Sequence, residues 1–315
     1  MSEYKPTNTT LNDDALARSF AFEALREQRS SRRWSNFFKC LFALYLFAIL
    51  AISWPGLSKN LLLDAEKITA LVEINGVIAP ETEASADFVV TGLRAAFEDE
   101  KTAGVILRIN SPGGSPVQSG YINDEINRLR IKHPKIPVYS VIQDICASGG
   151  YYIAVAADEI YADKASIVGS IGVRMDGFGF VEAMEKMGIE RRLLTAGESK
   201  GALDPFSPTS EADVQHVKSL LREIHGQFIK TVKDGRGDRL STTTDLFSGL
   251  FWTGEKSKEL GLIDGFGSAS YVAREIIKAK DIVNFTPRHD IFEKFAKQLG
   301  TQIATSFGSW LPKLQ

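Results

Sequence analysis

Ser148 stands in "QDICASGGYYIAVAAD" (143–158), where a short β-branched strand, "KIPVYSVIQD", gives way to an apolar helix. A serine on such a corner can present its hydroxyl to an acyl carbon. The next N–H, that of Gly149, points toward the same space, as in a nucleophile elbow, although the G-x-S-x-G pattern is absent. Serine is also a favoured helix N-cap, so the residue pattern admits a plain cap as well. Cys146, two residues earlier in an apolar stretch, reads as a small core residue rather than a rival nucleophile. A second stretch, "RINSPGGS" (108–115), ends a strand, turns at Pro112 and offers Gly113 and Gly114, whose backbone can approach another group closely. Exposed N–H groups at such a turn hold an anion, and beside a nucleophile they form an oxyanion hole. No G-K-[ST] follows, so this is not a phosphate-binding P-loop.

A nucleophilic serine needs a base. The four histidines, His133, His216, His225 and His289, are scattered and none lies near Ser148 in sequence. A third stretch, "TAGESKGALDPFSP" (195–208), carries Lys200 on a polar loop. A loop lysine is ordinarily solvated and charged. One that serves as a base near neutral pH must work about 3 units below the reference lysine pKa of ~10.4, which burial can supply. Ser170, in "SIVGSIGV", could orient such an amine or simply sit in a turn.

The elements that would position these residues alternate regularly. Strands are expected at 67–78, 103–110, 136–142, 159–163 and 190–197, and helices at 84–100, 117–133, 148–158, 180–188 and within 210–235. Strands alternating with helices imply parallel βαβ units with right-handed crossovers. The strands are short and apolar on both sides, as in a sheet covered on both faces.

The chain has 315 residues, a net charge of −2 and 44% hydrophobic residues, which is ordinary globular composition with no argument for a nucleic-acid partner. Two cysteines exclude a disulfide framework, and no H-E-x-x-H or paired C-x-x-C pattern suggests a metal. Phe37–Leu57 contains one charge, Lys39, in 21 residues, enough to span a bilayer as a helix. Arg26, Arg29, Arg32, Arg33 and Lys39 lie on its N-terminal side against Glu27, whereas Lys59 and Lys67 on the far side are offset by Asp64, Glu66 and Glu73. That asymmetry places the N-terminus in the cytoplasm and the main domain outside. A cleaved signal peptide fits less well, because 36 residues precede the apolar run and no A-x-A site follows it. The expected organisation is a cytoplasmic segment 1–36, an anchor 37–57, a catalytic domain 58–280 and a C-terminal segment 281–315. In that last segment Ile291, Phe292, Phe295, Leu299, Ile303, Phe307, Trp310 and Leu311 recur at three- to four-residue steps, an amphipathic helix pattern.

Five motifs, "NSPGGS", "ASGGYYIA", "GSIGV", "AGESKGALDPF" and "FWTGEKSKELGLIDGFG" (251–267), stand together in an order and spacing that resemble the signal peptide peptidase A (protease IV) family of serine peptidases, in its short single-domain form. The resemblance covers about Ile68 to Ile277. It implies an α/β fold of the ClpP/crotonase type, a spiral of ββα units, preceded here by one transmembrane helix. It implies Ser148 as nucleophile and Lys200 as general base, with Gly114 and Gly149 as oxyanion donors and Ser170 near the base amine. No cofactor and no metal are implied. The implied partners are apolar peptides such as remnant signal peptides, the bacterial inner membrane with the domain on its periplasmic side, and further copies of the chain. In the family's short form the serine and lysine of one dyad come from neighbouring protomers, in a ring of about eight. Two alternatives use the same residues otherwise: a crotonase-like acyl-CoA enzyme, and an inactive membrane scaffold.

Overall fold

The computed structural model describes residues 34, 36–47, 67–242 and 245–287. The chain divides into two compact units, Met1–Ala65 and Glu66–Gln315. In the first, residues 36–47 are helical with exposed side chains. No helix among the described residues is long and apolar enough to cross a membrane. The expected span continues over 48–57, outside the described residues, as do the N-terminal segment 1–33 and the apolar stripe from Ile291.

The second unit is built on one mixed sheet. Its first strands are β1 (Ile68–Asn75), β2 (Thr102–Ser111) and β3 (Val138–Ala147), followed by β4 (Glu159–Ala162) and β5 (Ile167–Gly169). Short strands β6 (Phe251–Thr253), β7 (Gly265–Phe266) and β8 (Ile282–Asn284) complete it. The order is β6-β5-β3-β2-β1-β8, with β4 paired to β3 and β7. Every pairing is parallel except β5 with β6. The parallel ladder expected from the alternation is therefore present, and its strands read as apolar runs because both faces are covered.

One face packs beneath α1 (Ala86–Glu98), α2 (Pro116–Lys132) and α3 (Gly149–Ala154). In α1 the buried residues Ala86, Val89, Leu93, Ala96 and Phe97 recur at three- and four-residue steps, which puts them on one stripe. α2 starts where Pro116 presets the first helical φ and Ser115 accepts a bond from the Gln118 N–H. The opposite face carries Leu71, Ile106 and Val141, covered by Val272 and Ala273 of the π-helical turn Val272–Ile277. That turn follows α7 (Ala269–Tyr271), and α6 (Gly254–Glu259) follows β6.

β3 matters most for the site because it forks. Its first half pairs with β4 through Tyr139–Val141, and its last three residues pair with β5. Between them the β2 register slips, so that Ile109 faces Ile142 but Ser111 faces Cys146. The Asn110 side chain fills the gap: its Oδ1 accepts from the Ile145 N–H at 3.3 Å, and its Nδ2 donates to Asp144 at 3.0 Å. A bulge of this kind bends the strand and re-aims the residues beyond it. Here the first residue past the strand end is Ser148.

The long helix α5 (Glu211–Arg236) is capped by Ser210, which accepts from the Asp213 N–H at 3.1 Å. Its last turns are buried through Phe228, Val232 and Arg236. Arg236 forms a two-bond pair with Asp264 at 2.6 and 3.0 Å. Burial works to raise the Asp264 carboxyl, but the bonds and charge of Arg236, with Arg239 beside it, hold it below the usual carboxylate range.

Two expectations are corrected. The strand expected at 190–197 is absent: these residues carry no strand assignment and all are exposed, with Leu194 at 95%. A ladder needs a partner, and the described residues offer none there. The helix expected at 180–188 shortens to α4 (Val181–Lys186), which buries nothing. Indeed no residue from 172 to 227 is buried. This segment leaves the body after β5, folds on itself through a Phe180–Phe206 ring stack at 5.4 Å and an Arg191–Asp204 pair at 3.3 Å, and returns along α5.

Candidate active site

Ser148 is the residue before the first turn of α3, with φ 51° and ψ −123°. That conformation is uncommon for a residue with a Cβ and costs on the order of 1–3 kcal/mol. Its side chain makes no capping bond. The N-cap reading therefore fails on geometry, because a capping serine has an extended φ and lends its oxygen to the helix. Two bonds hold the corner: the Ser148 N–H donates to the Gly169 carbonyl at 2.9 Å, and the Tyr152 N–H donates to the Ser148 carbonyl at 3.0 Å. The fork in β3 thus continues into the corner and fixes the serine to the end of β5.

The glycine turn meets the same corner. Gly113 has φ 99°, and a Cβ there would stand 2.7 Å from both Ser148 Cβ and Gly149 N. Gly114 is pressed against Ile78, whose carbonyl oxygen would lie 2.1 Å from an added Cβ. The Ile78 N–H donates to Gly113 at 2.9 Å and its carbonyl accepts from the Ser115 N–H at 2.7 Å. The position that a Gly149 Cβ would take is 3.2 Å from Gly114 N, so the two backbones are in contact. Among the described residues neither the Gly114 nor the Gly149 N–H donates a hydrogen bond. Gly149, as the first residue of α3, has no acceptor within its own helix. Two unpartnered donors beside a serine hydroxyl are what an acyl-transfer oxyanion requires.

A cleft of about 790 Å³ opens over this corner. Gly113, Gly114, Ser148, Gly149 and Ser170 line it together. Ser170, at φ 54°, donates its N–H to the Leu250 carbonyl at 2.7 Å. Lys200 does not line the cleft. It lies exposed on the 172–227 segment, with its N–H bonded to the Gly197 carbonyl at 3.1 Å. The structure of one chain brings together four of the five expected residues and leaves the fifth outside.

Other bases and nucleophiles are set aside by their surroundings. Cys146 is fully buried, and burial pushes its thiol well above the ordinary value, so it stays protonated. No histidine lines the cleft among the described residues. His225 holds Nε2 at 3.1 Å from the Ile171 carbonyl, which makes that nitrogen a donor. Among the described residues no group of histidine, cysteine and carboxylate side chains could hold a metal ion.

One part of the cleft escaped the sequence reading. Tyr152, Ile224 and Phe228 form an apolar wall, with the Tyr152 and Phe228 rings 5.1 Å apart. Tyr152 is placed by Asn123 of α2, whose Nδ2 donates to its carbonyl at 2.8 Å. The spacing held a signal: Ile224 and Phe228 are four apart and so share a helix face, and Tyr152 lies four residues after Ser148.

An α/β sheet that delivers a serine and two free N–H groups into one cleft has the layout of an acyl-transfer hydrolase. Comparison with known proteins gives the family. The model of peptidase family S49 matches residues 130–283, which hold Ser148, Ser170 and Lys200. The putative protease slr0021 of Synechocystis is 32% identical over 205 residues, 65% of this chain and 72% of that protein. The putative signal peptide peptidase SppA of Enterococcus faecium is 29% identical over 250 residues, 76% of this chain and 72% of that protein. The chain belongs to peptidase family S49, the signal peptide peptidase A group. A protein named Na(+)/H(+) antiporter NhaA, of Brucella abortus, is 51% identical over 175 residues, 56% of this chain. The match spans about a quarter of that relative's own length.

Proposed function

We propose that this chain is a membrane-anchored serine endopeptidase that uses a Ser148–Lys200 dyad to degrade apolar, unfolded peptides, remnant signal peptides among them. The observation that carries the reading is the Ser148 corner, a serine in a costly backbone conformation, free of any capping role, beside two free N–H groups. The fold intended is the family's ClpP/crotonase spiral, which the mixed parallel sheet supports.

In the reaction, neutral Lys200 takes the Ser148 hydroxyl proton as Oγ attacks the peptide carbonyl carbon. The tetrahedral oxyanion is held by the Gly114 and Gly149 N–H groups. Its collapse breaks the C–N bond, and the lysine ammonium returns the proton to the leaving amine, which leaves an ester on Ser148. Water, losing its proton to Lys200, then attacks the ester and frees the acid and the serine. Ser170, in the same cleft, orients the amine. The apolar wall of Tyr152, Ile224 and Phe228 suits an apolar side chain of the substrate. A crotonase-like enzyme would use the two donors without any need for a serine at φ 51°.

The dyad is completed by a neighbouring copy of the chain. Lys200 lies outside its own cleft, on a segment that exposes Met175, Phe178, Met187, Ile189 and Leu194 by more than half of their surface. Exposed apolar residues clustered on one segment mark a contact surface. A closed head-to-tail ring, of about eight copies by family analogy, would cover the segment and seat each lysine in the next cleft. Phe37–Leu57 anchors the domain on the periplasmic side of the bacterial inner membrane. Deleting residues 1–57 should release the protein from membranes washed with alkaline carbonate, where the full chain stays bound; retention of the truncated protein would remove the anchor from this segment.

The decisive test uses the detergent-solubilised full chain. A fluorophosphonate probe should label it once, at Ser148, and it should hydrolyse an apolar peptide. Ser148→Ala should abolish both, with a loss of at least about 1,000-fold. Labelling that survives the substitution, or no hydrolysis by the unaltered chain, would end the reading.

A further inference from the structure

We propose that Ser111 is a positioning residue for the oxyanion loop: its hydroxyl joins the Gly113 N–H to the Gly76 carbonyl and so sets where the Gly114 N–H stands relative to Ser148. The proposal rests on the acyl-transfer reading above. Ser111 ends β2 and is fully buried. Its Oγ donates to the Gly76 carbonyl at 2.6 Å and accepts from the Gly113 N–H at 3.1 Å. The hydroxyl's one proton and one of its two lone pairs are thereby committed.

The relay joins two glycine turns, at φ 80° for Gly76 and 99° for Gly113. Gly76 closes the end of the β1–β2 ladder, where its N–H donates to the Asn110 carbonyl at 2.9 Å. Gly113 sits in the turn that carries the oxyanion donor. Ser111 therefore ties the turn that carries the donor to the end of the β1–β2 ladder. The turn's other ties run to the Ile78 main chain, from the Gly113 carbonyl and the Ser115 N–H. With the Ser111 bond these flank the Gly114 N–H on both sides and leave it alone unpartnered. Ser111 also packs against the start of the nucleophile helix: the position a Gly150 Cβ would take is 3.1 Å from the Ser111 carbonyl oxygen. One residue thus abuts the carriers of both donors.

A buried serine that only satisfies polar groups would cost stability when removed and nothing else. A positioning serine costs transition-state stabilisation, because misplacing an oxyanion donor by a fraction of an ångström weakens a bond made only after attack. Ser140 separates the two. It is equally buried, on β3, and its Oγ donates to the Ala154 carbonyl at 3.1 Å, at the far end of α3 from the donors.

The experiment measures kcat and KM on an apolar peptide aminocoumarin amide, the affinity of the matching peptide aldehyde, and thermal unfolding, all on the detergent-solubilised full chain. The aldehyde forms a hemiacetal with Ser148 and so loads the donors directly. Ser111→Ala should lower kcat and aldehyde affinity each by about 10- to 100-fold, with KM within about two-fold. Ser111→Thr, which keeps the hydroxyl, should recover most of both. Ser140→Ala should unfold earlier but keep kcat and aldehyde affinity. If Ser111→Ala does not fold, Ser111→Cys decides, since it keeps the side chain's place with a weak donor and should behave as the alanine variant is expected to. The proposal is overturned if the alanine or cysteine variant matches Ser140→Ala in kcat and aldehyde affinity. An unaltered chain that neither hydrolyses the peptide nor takes the fluorophosphonate overturns the peptidase reading instead, a separately visible result.

Discussion

Mixing a Ser148→Ala protein with a Lys200→Ala protein restores activity that neither has alone. In each variant every cleft lacks one half of the dyad. If the halves come from neighbouring copies, a mixed ring contains interfaces at which an intact serine meets an intact lysine. With equal, random mixing, half of the copies offer the serine and half of the next neighbours offer the lysine, so about a quarter of the sites are whole. Activity should rise from background to roughly that fraction of the unaltered protein's. The structural ground is the position of Lys200, exposed on a segment without a buried residue and absent from the lining of its own cleft. Subunit exchange must be shown independently, by energy transfer between differently labelled copies. Exchange without recovered activity means that the dyad closes within one chain.

Lys200→Arg abolishes hydrolysis. The substitution keeps the length, the positive charge and the ability to donate, so a lysine needed only for its charge would be replaced well. A guanidinium is not deprotonated in proteins and cannot take the serine proton. The expected loss is about 1,000-fold or more in kcat, close to that of Ser148→Ala, because residues acting as a unit fail as a unit. Fluorophosphonate labelling of Ser148 should slow in parallel, since it needs the same proton transfer. Appreciable turnover in this variant would remove Lys200 from the base position and reopen the search for one. The structure narrows that search, since no histidine lines the cleft among the described residues.

The sequence revealed the central sheet because β1, β2 and β3 are long apolar runs and α1 and α2 carry stripes at helical spacing. These signals are local. β5 to β8, at two or three residues each, carry no strand signal of their own, because strands that short exist only through their partners. The segment 190–197 failed in the opposite sense: it has the composition of a strand and no ladder to join. In the site, the corner itself was legible from a strand, a serine and two glycines. That the serine does not cap its helix was not legible, since this lies in one backbone angle and a missing bond. Lys200 looked like any loop lysine, and only the family's motifs singled it out. Tyr152 and Phe228 were visible as apolar residues, but the cleft they share depends on how α3 and α5 pack.

The φ of 51° at Ser148 also bears on how such a chain changes over generations. Glycine occupies that region at little cost, whereas serine gives up on the order of 1–3 kcal/mol. Replacement of the serine by glycine is then a step downhill for the fold, open to any lineage in which the reaction no longer matters. A protein of this kind sheds its chemistry more easily than it keeps it. On the proposed reading, serine at this position is kept against the preference of its own backbone, so the reaction and not the fold is what holds it there.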